Sequence, residues 1–207
     1  MDLPATSPPD KPLLRKILRE KRNRLSRHQQ SVAAINLDKQ IARSGLLQRS
    51  RNIALYFAND GEIDPRLLIS RLMKYRCHCY FPVILRDKSL RFARYQPTDK
   101  LIKNRYGIPE PSHKSMDGTA LRKPWVMNLV FLPLVGFDRL GGRLGMGGGF
   151  YDRTFQGTQR KKRLSTPLLV GLAHHCQEVE QLTVDNWDVP LSKLVTDQEL
   201  ITIAPKN

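Results

Sequence analysis

Asn128-Leu129-Val130-Phe131-Leu132-Pro133-Leu134-Val135 leads, after five residues, into Gly141-Gly142-Arg143-Leu144-Gly145-Met146-Gly147-Gly148-Gly149-Phe150-Tyr151-Asp152. The first eight residues are an apolar run of a length that suits a buried strand. Phe150-Tyr151-Asp152-Arg153-Thr154-Phe155 reads as the opening of a helix. From Gly141 to Gly149 stand six glycines, which tolerate positive φ and let a backbone approach a ligand closely. A buried strand, a glycine loop and a helix in that order belong to an α/β protein. The helix start supplies unpaired N–H groups and a favourable dipole for a phosphate.

The chain on either side agrees with this reading. From Pro12 a helix carries Leu14, Ile17, Leu18 and Leu25 on one stripe and Lys11, Arg15, Arg19 and Arg22 on another. Ser26 is placed to cap a second helix that runs to Gly45. Ile53–Phe57 reads as a buried strand and Asn59-Asp60-Gly61 as a turn. Asp64-Pro65 reads as the cap and first position of a third helix. His78–Ile84 and Leu90–Tyr95 are strands, residues 96–124 are Pro-rich and irregular, and Pro167–Leu172, Leu191–Val195 and Leu200–Ile203 complete the strands. The order predicts a layered α/β/α single domain over residues 11–207. Its central sheet is mostly parallel, it carries an N-terminal helical segment, and a loose extension covers residues 1–10.

Composition narrows the class without deciding it. The 207 residues are 40% hydrophobic and 26% charged, as in an ordinary globular protein. No apolar run reaches the roughly 20 residues of a membrane span, and the first ten residues lack the pattern of a secretory signal. A cytoplasmic location is the default expectation. Of the three cysteines, Cys77 and Cys79 flank His78 on what reads as a strand, which turns the thiols away from the histidine. Neither they nor His174-His175-Cys176 have metal-site spacing, so reduced thiols are expected. The formal charge of +16 attracts polyanions. The Arg160-Lys161-Lys162-Arg163 run reads either as a solvated loop or as part of a basic patch.

Several residues have both a chemical and a structural reading. Arg143 offers a bidentate fork to phosphate oxygens. Asp152 can hold Mg²⁺ beside phosphates, and it can equally serve as a first-turn acid of the helix. Lys11 and Arg15, four apart, project together and can clamp phosphate or be solvated surface. Glu62 follows a strand end, where open α/β sheets bind ligands, and is as readily an exposed loop acid. The loop is not a Walker A motif, because no Gly-Lys-Ser/Thr closes it.

Together these segments resemble the 5-formyltetrahydrofolate cyclo-ligase family. The resemblance runs from Lys11-Pro12-Leu13-Leu14-Arg15-Lys16 through Ile53–Phe57, Gly61-Glu62-Ile63-Asp64 and Tyr106-Gly107-Ile108-Pro109-Glu110-Pro111. It is most specific from Leu132 to Asp138 and from Gly142 to Asp152. It implies ATP- and Mg²⁺-dependent conversion of 5-formyltetrahydrofolate to 5,10-methenyltetrahydrofolate. Lys11, Arg15 and the loop of Arg143, Leu144, Gly145, Met146, Gly147, Gly148, Gly149, Phe150, Tyr151 and Asp152 then hold ATP. Asp152 and Asp188 hold Mg²⁺, Phe57, Glu62 and Tyr151 hold the folate, and Arg143 and Asp152 serve catalysis. Some members carry basic residues in place of Met146 and Gly148 and a Tyr in place of Phe150. The Met-Gly-Gly-Gly form is similar to a bacterial version of the loop. It shifts the phosphate grip toward backbone N–H groups, Arg143 and the N-terminal pair. The implied partner is a small-molecule folate with a glutamate or polyglutamate tail, bound by a monomer with no membrane and no specific nucleic acid. A nucleic-acid-binding module, suggested by the charge, and a sugar-phosphate enzyme on a similar sheet are the alternatives.

Overall fold

The computed structural model describes residues 10–48, 50–112, 121–160 and 167–204. The expected N-terminal extension, apart from Asp10, and the Lys161–Arg163 part of the basic run lie outside them.

Two helices open the chain. Helix α1 (Lys11–Asn23) has Pro in its first turn and buries Leu18 and Arg22. Helix α2 (Arg27–Arg43) begins at a full capping box. The Gln29 N–H donates to Ser26 Oγ, and the Ser26 N–H donates to the Gln29 side chain. Strand β1 (Asn52–Ala54) is followed by α3 (Leu67–Lys74). The Asp64 carboxylate does accept the Arg66 N–H, as a cap should. The next bonds, however, run from Leu68 to Pro65 and from Ile69 to Arg66. This tight first turn delays the regular helix to Leu67.

Strands β2 (His78–Ile84) and β3 (Leu90–Tyr95) form a hairpin. The segment expected to be irregular contains β4 (Leu101–Lys103) paired with β5 (Pro109–Pro111), and then β6 (Leu121–Arg122). Pro109 and Pro111 have no N–H to donate and so hide β5 in the sequence, yet it pairs with β4 around Ile102 and Glu110. Strand β7 (Leu129–Pro133) is the buried run that anchors the sequence reading. It is followed by a small hairpin, β8 (Gly136–Phe137) against β9 (Arg143–Leu144), and by α4 (Phe150–Arg160). Strands β10 (Leu168–Leu172), β11 (Lys193–Val195) and β12 (Leu200–Thr202) finish the chain.

The main sheet has the order β12-β11-β10-β7-β1-β2-β3-β6. The pairings β11·β10, β10·β7, β7·β1 and β1·β2 are parallel, and both edges are antiparallel. Strand alternation splits the core into two layers. Ile53, Leu129 and Phe131 pack with Leu37 and Ile41 of α2 and Leu68 and Leu72 of α3. Ala54, Val130 and Leu132 pack on the other face with Phe155 of α4. This is the expected α/β/α layering with a mostly parallel centre. From β1 the chain moves outward to β2, whereas from β7 it moves outward the other way to β10. The topological switch point therefore lies between β1 and β7, where the carboxyl ends of adjacent strands part and leave a crevice. Helix α1 lies beside that end of the sheet, with Leu18 against Val135, Leu144 and Leu182.

Candidate active site

The crevice opens into a cavity of about 830 Å³. One end is made by the glycine loop. The hairpin changes what the glycines do. Gly141 and Gly142 sit in the β8–β9 turn, where the buried Asp138 carboxylate accepts the N–H groups of Leu140 and Gly142 through Oδ1 and that of Leu182 through Oδ2. They are turn residues, and the cradle proper is Gly145–Gly149. Its carbonyls are held from outside. Arg15 Nε donates to the Gly145 carbonyl at 2.9 Å, and Arg153 Nη1 donates to that of Gly148 at 3.3 Å. Its N–H groups donate to no acceptor among the described residues. Gly147, at φ +91°, turns the chain so that these donors can face the cavity.

Arg143, its side chain only 8% exposed, forms an ion pair with Asp152. Burial lowers the affinity of its guanidinium for the proton, and the charges of Asp152 and Asp188 oppose that effect. Asp152 Oδ1 also accepts the Val189 N–H at 3.1 Å, while its Oδ2 has no hydrogen bond among the described residues. Asp188 accepts the Asp185 N–H through Oδ2 at 2.9 Å. Lys11 Nζ is paired with the Asp185 carboxylate, and both residues border the cavity.

The other end is the turn after β1. Asp60 and Gly61 both have positive φ, and a Cβ on Gly61 would lie 2.0 Å from Asn23 Oδ1. The turn brings Glu62 back so that its carboxylate accepts the Asn59 N–H at 3.1 Å. Burial pushes the Glu62 carboxyl up to about 7, partly offset by that bond and by the Arg22 charge. Burial likewise raises the Tyr151 phenol well above its ordinary value, with Glu62 adding to the rise. Phe57 borders the cavity, and its ring stacks on Phe81 at 3.9 Å in the core.

Every residue singled out in the sequence, from Lys11, Arg15, Phe57 and Glu62 through Arg143–Asp152 to Asp188, borders this one cavity. Sequence reasoning missed others. Arg22, which the sequence places only on the basic stripe of the first helix, is 0% exposed. It donates to the carbonyl and carboxylate of Asp60 at 2.7 and 2.9 Å and to the Leu134 carbonyl at 3.2 Å. It thus ties α1 to both sides of the switch point. Glu110, Asn104, Tyr106 and Trp187 also border the cavity. Glu110 and Tyr106 fall in the Pro-rich segment that carries part of the family resemblance, but sequence reasoning assigned neither a role. The cysteines behave as expected: all three are free, and His78 turns away from the thiols toward Arg94. Among the described residues, His175, Glu178 and Glu199 are the one group clustered closely enough to share a metal. The Arg139 guanidinium already bridges its two glutamates at 2.6 Å each.

The profile of the 5-formyltetrahydrofolate cyclo-ligase family matches residues 7–197. This chain belongs to that family. A 5-formyltetrahydrofolate cyclo-ligase of Haemophilus influenzae is 42% identical over 173 residues, covering 81% of this chain and 85% of that protein. The Escherichia coli K12 enzyme of the same name is 36% identical over 186 residues, with 89% and 98% covered. The solved structure of Aquifex aeolicus 5,10-methenyltetrahydrofolate synthetase superposes with a TM-score of 0.77 at 28% identity, covering 95% of this chain and 94% of that one. The Mycoplasma pneumoniae synthetase shares the fold at a TM-score of 0.70 and 24% identity, with 91% and 99% covered. The fold is thus shared with these two solved synthetases.

Proposed function

We propose that this chain converts 5-formyltetrahydrofolate and ATP, with Mg²⁺, into 5,10-methenyltetrahydrofolate, ADP and phosphate, and that residues 11–207 act as one catalytic domain. One observation carries the reading: a single cavity joins a loop of unpaired backbone N–H groups to the half-buried Glu62 carboxylate. The loop suits polyphosphate and Glu62 suits the paired N–H donors of a pterin. Family membership supports the same conversion.

A formamide oxygen leaves poorly, and N10 is a modest nucleophile. Phosphorylating the formyl oxygen turns it into a leaving group, after which N10 closes the ring and phosphate departs. The protein's task is to align the formyl oxygen with the terminal phosphate and to stabilise the charge that spreads during transfer. Gly145–Gly149, Arg143, Arg15 and Lys11 are the groups for phosphate. Lys11 would exchange Asp185 for the nucleotide. Glu62 orients the pterin, with Tyr151 and Phe57 beside it. Asp152 and Asp188 fit Mg²⁺. Each keeps one carboxylate oxygen without a hydrogen bond among the described residues, and two carboxylates plus phosphate oxygens make a hard-oxygen set. The ion would supply charge neutralisation at the phosphates. The basic surface serves polyanionic folate and nucleotide rather than nucleic acid. We infer a monomer of the cytoplasm; no helix among the described residues is long and apolar enough to cross a membrane.

The test is growth of methenyltetrahydrofolate absorbance from 5-formyltetrahydrofolate by purified protein, dependent on ATP and Mg²⁺. No turnover by folded protein overturns the proposal. Asp152→Asn should lower kcat sharply and weaken the Mg²⁺ dependence, and an unchanged Mg²⁺ titration removes the metal role.

A further inference from the structure

The scheme above assigns no group to the proton that N10 carries. Six carboxylates border the cavity: Asp60, Glu62, Glu110, Asp152, Asp185 and Asp188. Asp60 is held by Arg19, Arg22 and Asn23, Asp185 by Lys11 and Asp152 by Arg143. Asp188 sits beside Asp152, and Glu62 faces the pterin. Glu110 is left, with no salt bridge among the described residues.

Its setting is specific. Glu110 lies on β5 and is only 5% exposed. Oε1 accepts the Ile84 N–H at 3.1 Å and an Asn104 side-chain N–H at 2.8 Å. Oε2 takes no hydrogen bond among the described residues, yet it is not among the sealed, unpartnered side-chain atoms, which are His174 Nδ1 and His175 Nδ1. A carboxylate oxygen that is neither paired nor sealed needs a donor from outside the protein, and the open space that Glu110 borders is the cavity. Asn104 in turn accepts the N–H groups of Tyr106 and Ile108, and Tyr106 meets Phe150 edge-on at 5.6 Å. Glu110 therefore stands on the wall that joins the end of β2 to the glycine loop.

We propose that Glu110 is a catalytic residue that accepts the N10 proton during ring closure. This rests on the function proposed above. The N10 lone pair forms a bond to the phosphorylated formyl carbon, leaving N10 with a proton and a positive charge. The Glu110 carboxylate takes that proton. The released lone pair forms the C=N bond as the C–O bond breaks, phosphate leaves with that electron pair, and the proton passes from Glu110 to solvent. No oxidant or further reactant is required.

Glu110→Gln in the full chain tests this, because the Gln carbonyl can still accept from Ile84 and Asn104 but cannot take a proton. The expected kcat for methenyltetrahydrofolate falls about 100-fold or more, within the usual range for losing a general base, with both KM values within about threefold. First-turnover ADP formation stays fast while methenyl formation lags. A kcat within about threefold of wild type overturns the proposal, as does a joint slowing of ADP and methenyl with raised KM, the signature of a wall-holding role alone. Should Glu110→Gln not fold, Glu110→Asp keeps the charge and shortens the reach. A fall of about tenfold or more in kcat with ADP release still leading supports the role, and an unchanged kcat overturns it. Wild-type protein that makes no methenyl product overturns both proposals, whereas active wild type with an unimpaired Gln variant overturns this one alone.

Discussion

Exchanging Glu62 for Gln removes a charge from a place where charge is unfavourable. Burial raises the Glu62 carboxyl from 4.5 to about 7, with the Asn59 N–H and the Arg22 charge pulling the other way. At about 1.4 kcal/mol per pH unit that gap amounts to at most about 3 kcal/mol. The folded protein holds this proton more tightly than the unfolded chain does. Well below pH 4.5 both are protonated and the group contributes nothing to the balance. Between 4.5 and about 7 folding takes up a proton, so stability falls as pH rises, and above that window the full loss persists. The Gln carbonyl can still accept from Asn59. Ligand-free Glu62→Gln is therefore expected to be more stable than wild type by about 1 kcal/mol at pH 5 and about 3 kcal/mol at pH 8. In urea, with a slope of about 2–3 kcal/mol per M, the gap between midpoints should widen by roughly 1 M from the lower pH to the higher. A gap that is the same at both pH values, or that favours wild type at pH 8, refutes the reasoning. The same variant should raise the folate KM by about 10-fold or more, because hydrogen bonds to a charged acceptor are each worth roughly 1.5–3 kcal/mol.

Arg22→Met leaves Asp60 without its buried partner and leaves the Leu134 carbonyl with the Gln177 side-chain N–H as its donor. A loss of about 3–5 kcal/mol in thermal or urea unfolding is expected, with partial recovery on adding Asp60→Asn. A loss below about 1 kcal/mol would place Arg22 outside the structural network. Gly61→Ala combines positive φ with a Cβ 2.0 Å from Asn23 Oδ1, so it should cost about 1–3 kcal/mol and raise folate KM by displacing Glu62; an unchanged KM argues against the turn's role. Raising ionic strength should increase KM for a polyglutamylated folate more than for the monoglutamate, since the +16 charge acts through screened attraction. Equal effects count against electrostatic capture of the tail.

Local signals were legible wherever a residue's role depends on near neighbours. Ser26 declares the N-cap of the second helix. The run from Asn128 to Val135 declares a strand, and the glycines before Phe150 declare a loop that enters a helix. The family resemblance added the grouping of Lys11, Arg15, Glu62, Arg143 and Asp152, which no spacing in the chain connects. The turn made by Gly141 and Gly142 was not legible. Glycine is equally suited to a hairpin turn and to a phosphate cradle, and only the pairing of Gly136 with Leu144 separates the two.

The sequence by itself thus determined the α/β class, the order of the elements and the presence of a phosphate-suited loop, because periodicity, caps and glycines act within a few residues. Tertiary structure alone decided that Arg22 is buried, since its acceptors are 38 and 112 residues away. It alone decided that Glu110 borders the same cavity as Glu62. It also decided that Arg15 and Arg153 hold the loop carbonyls and leave the loop N–H groups unpaired. Burial and the direction of a donor depend on what lies across the sheet, and the topological switch between β1 and β7 is set by which distant strands pair.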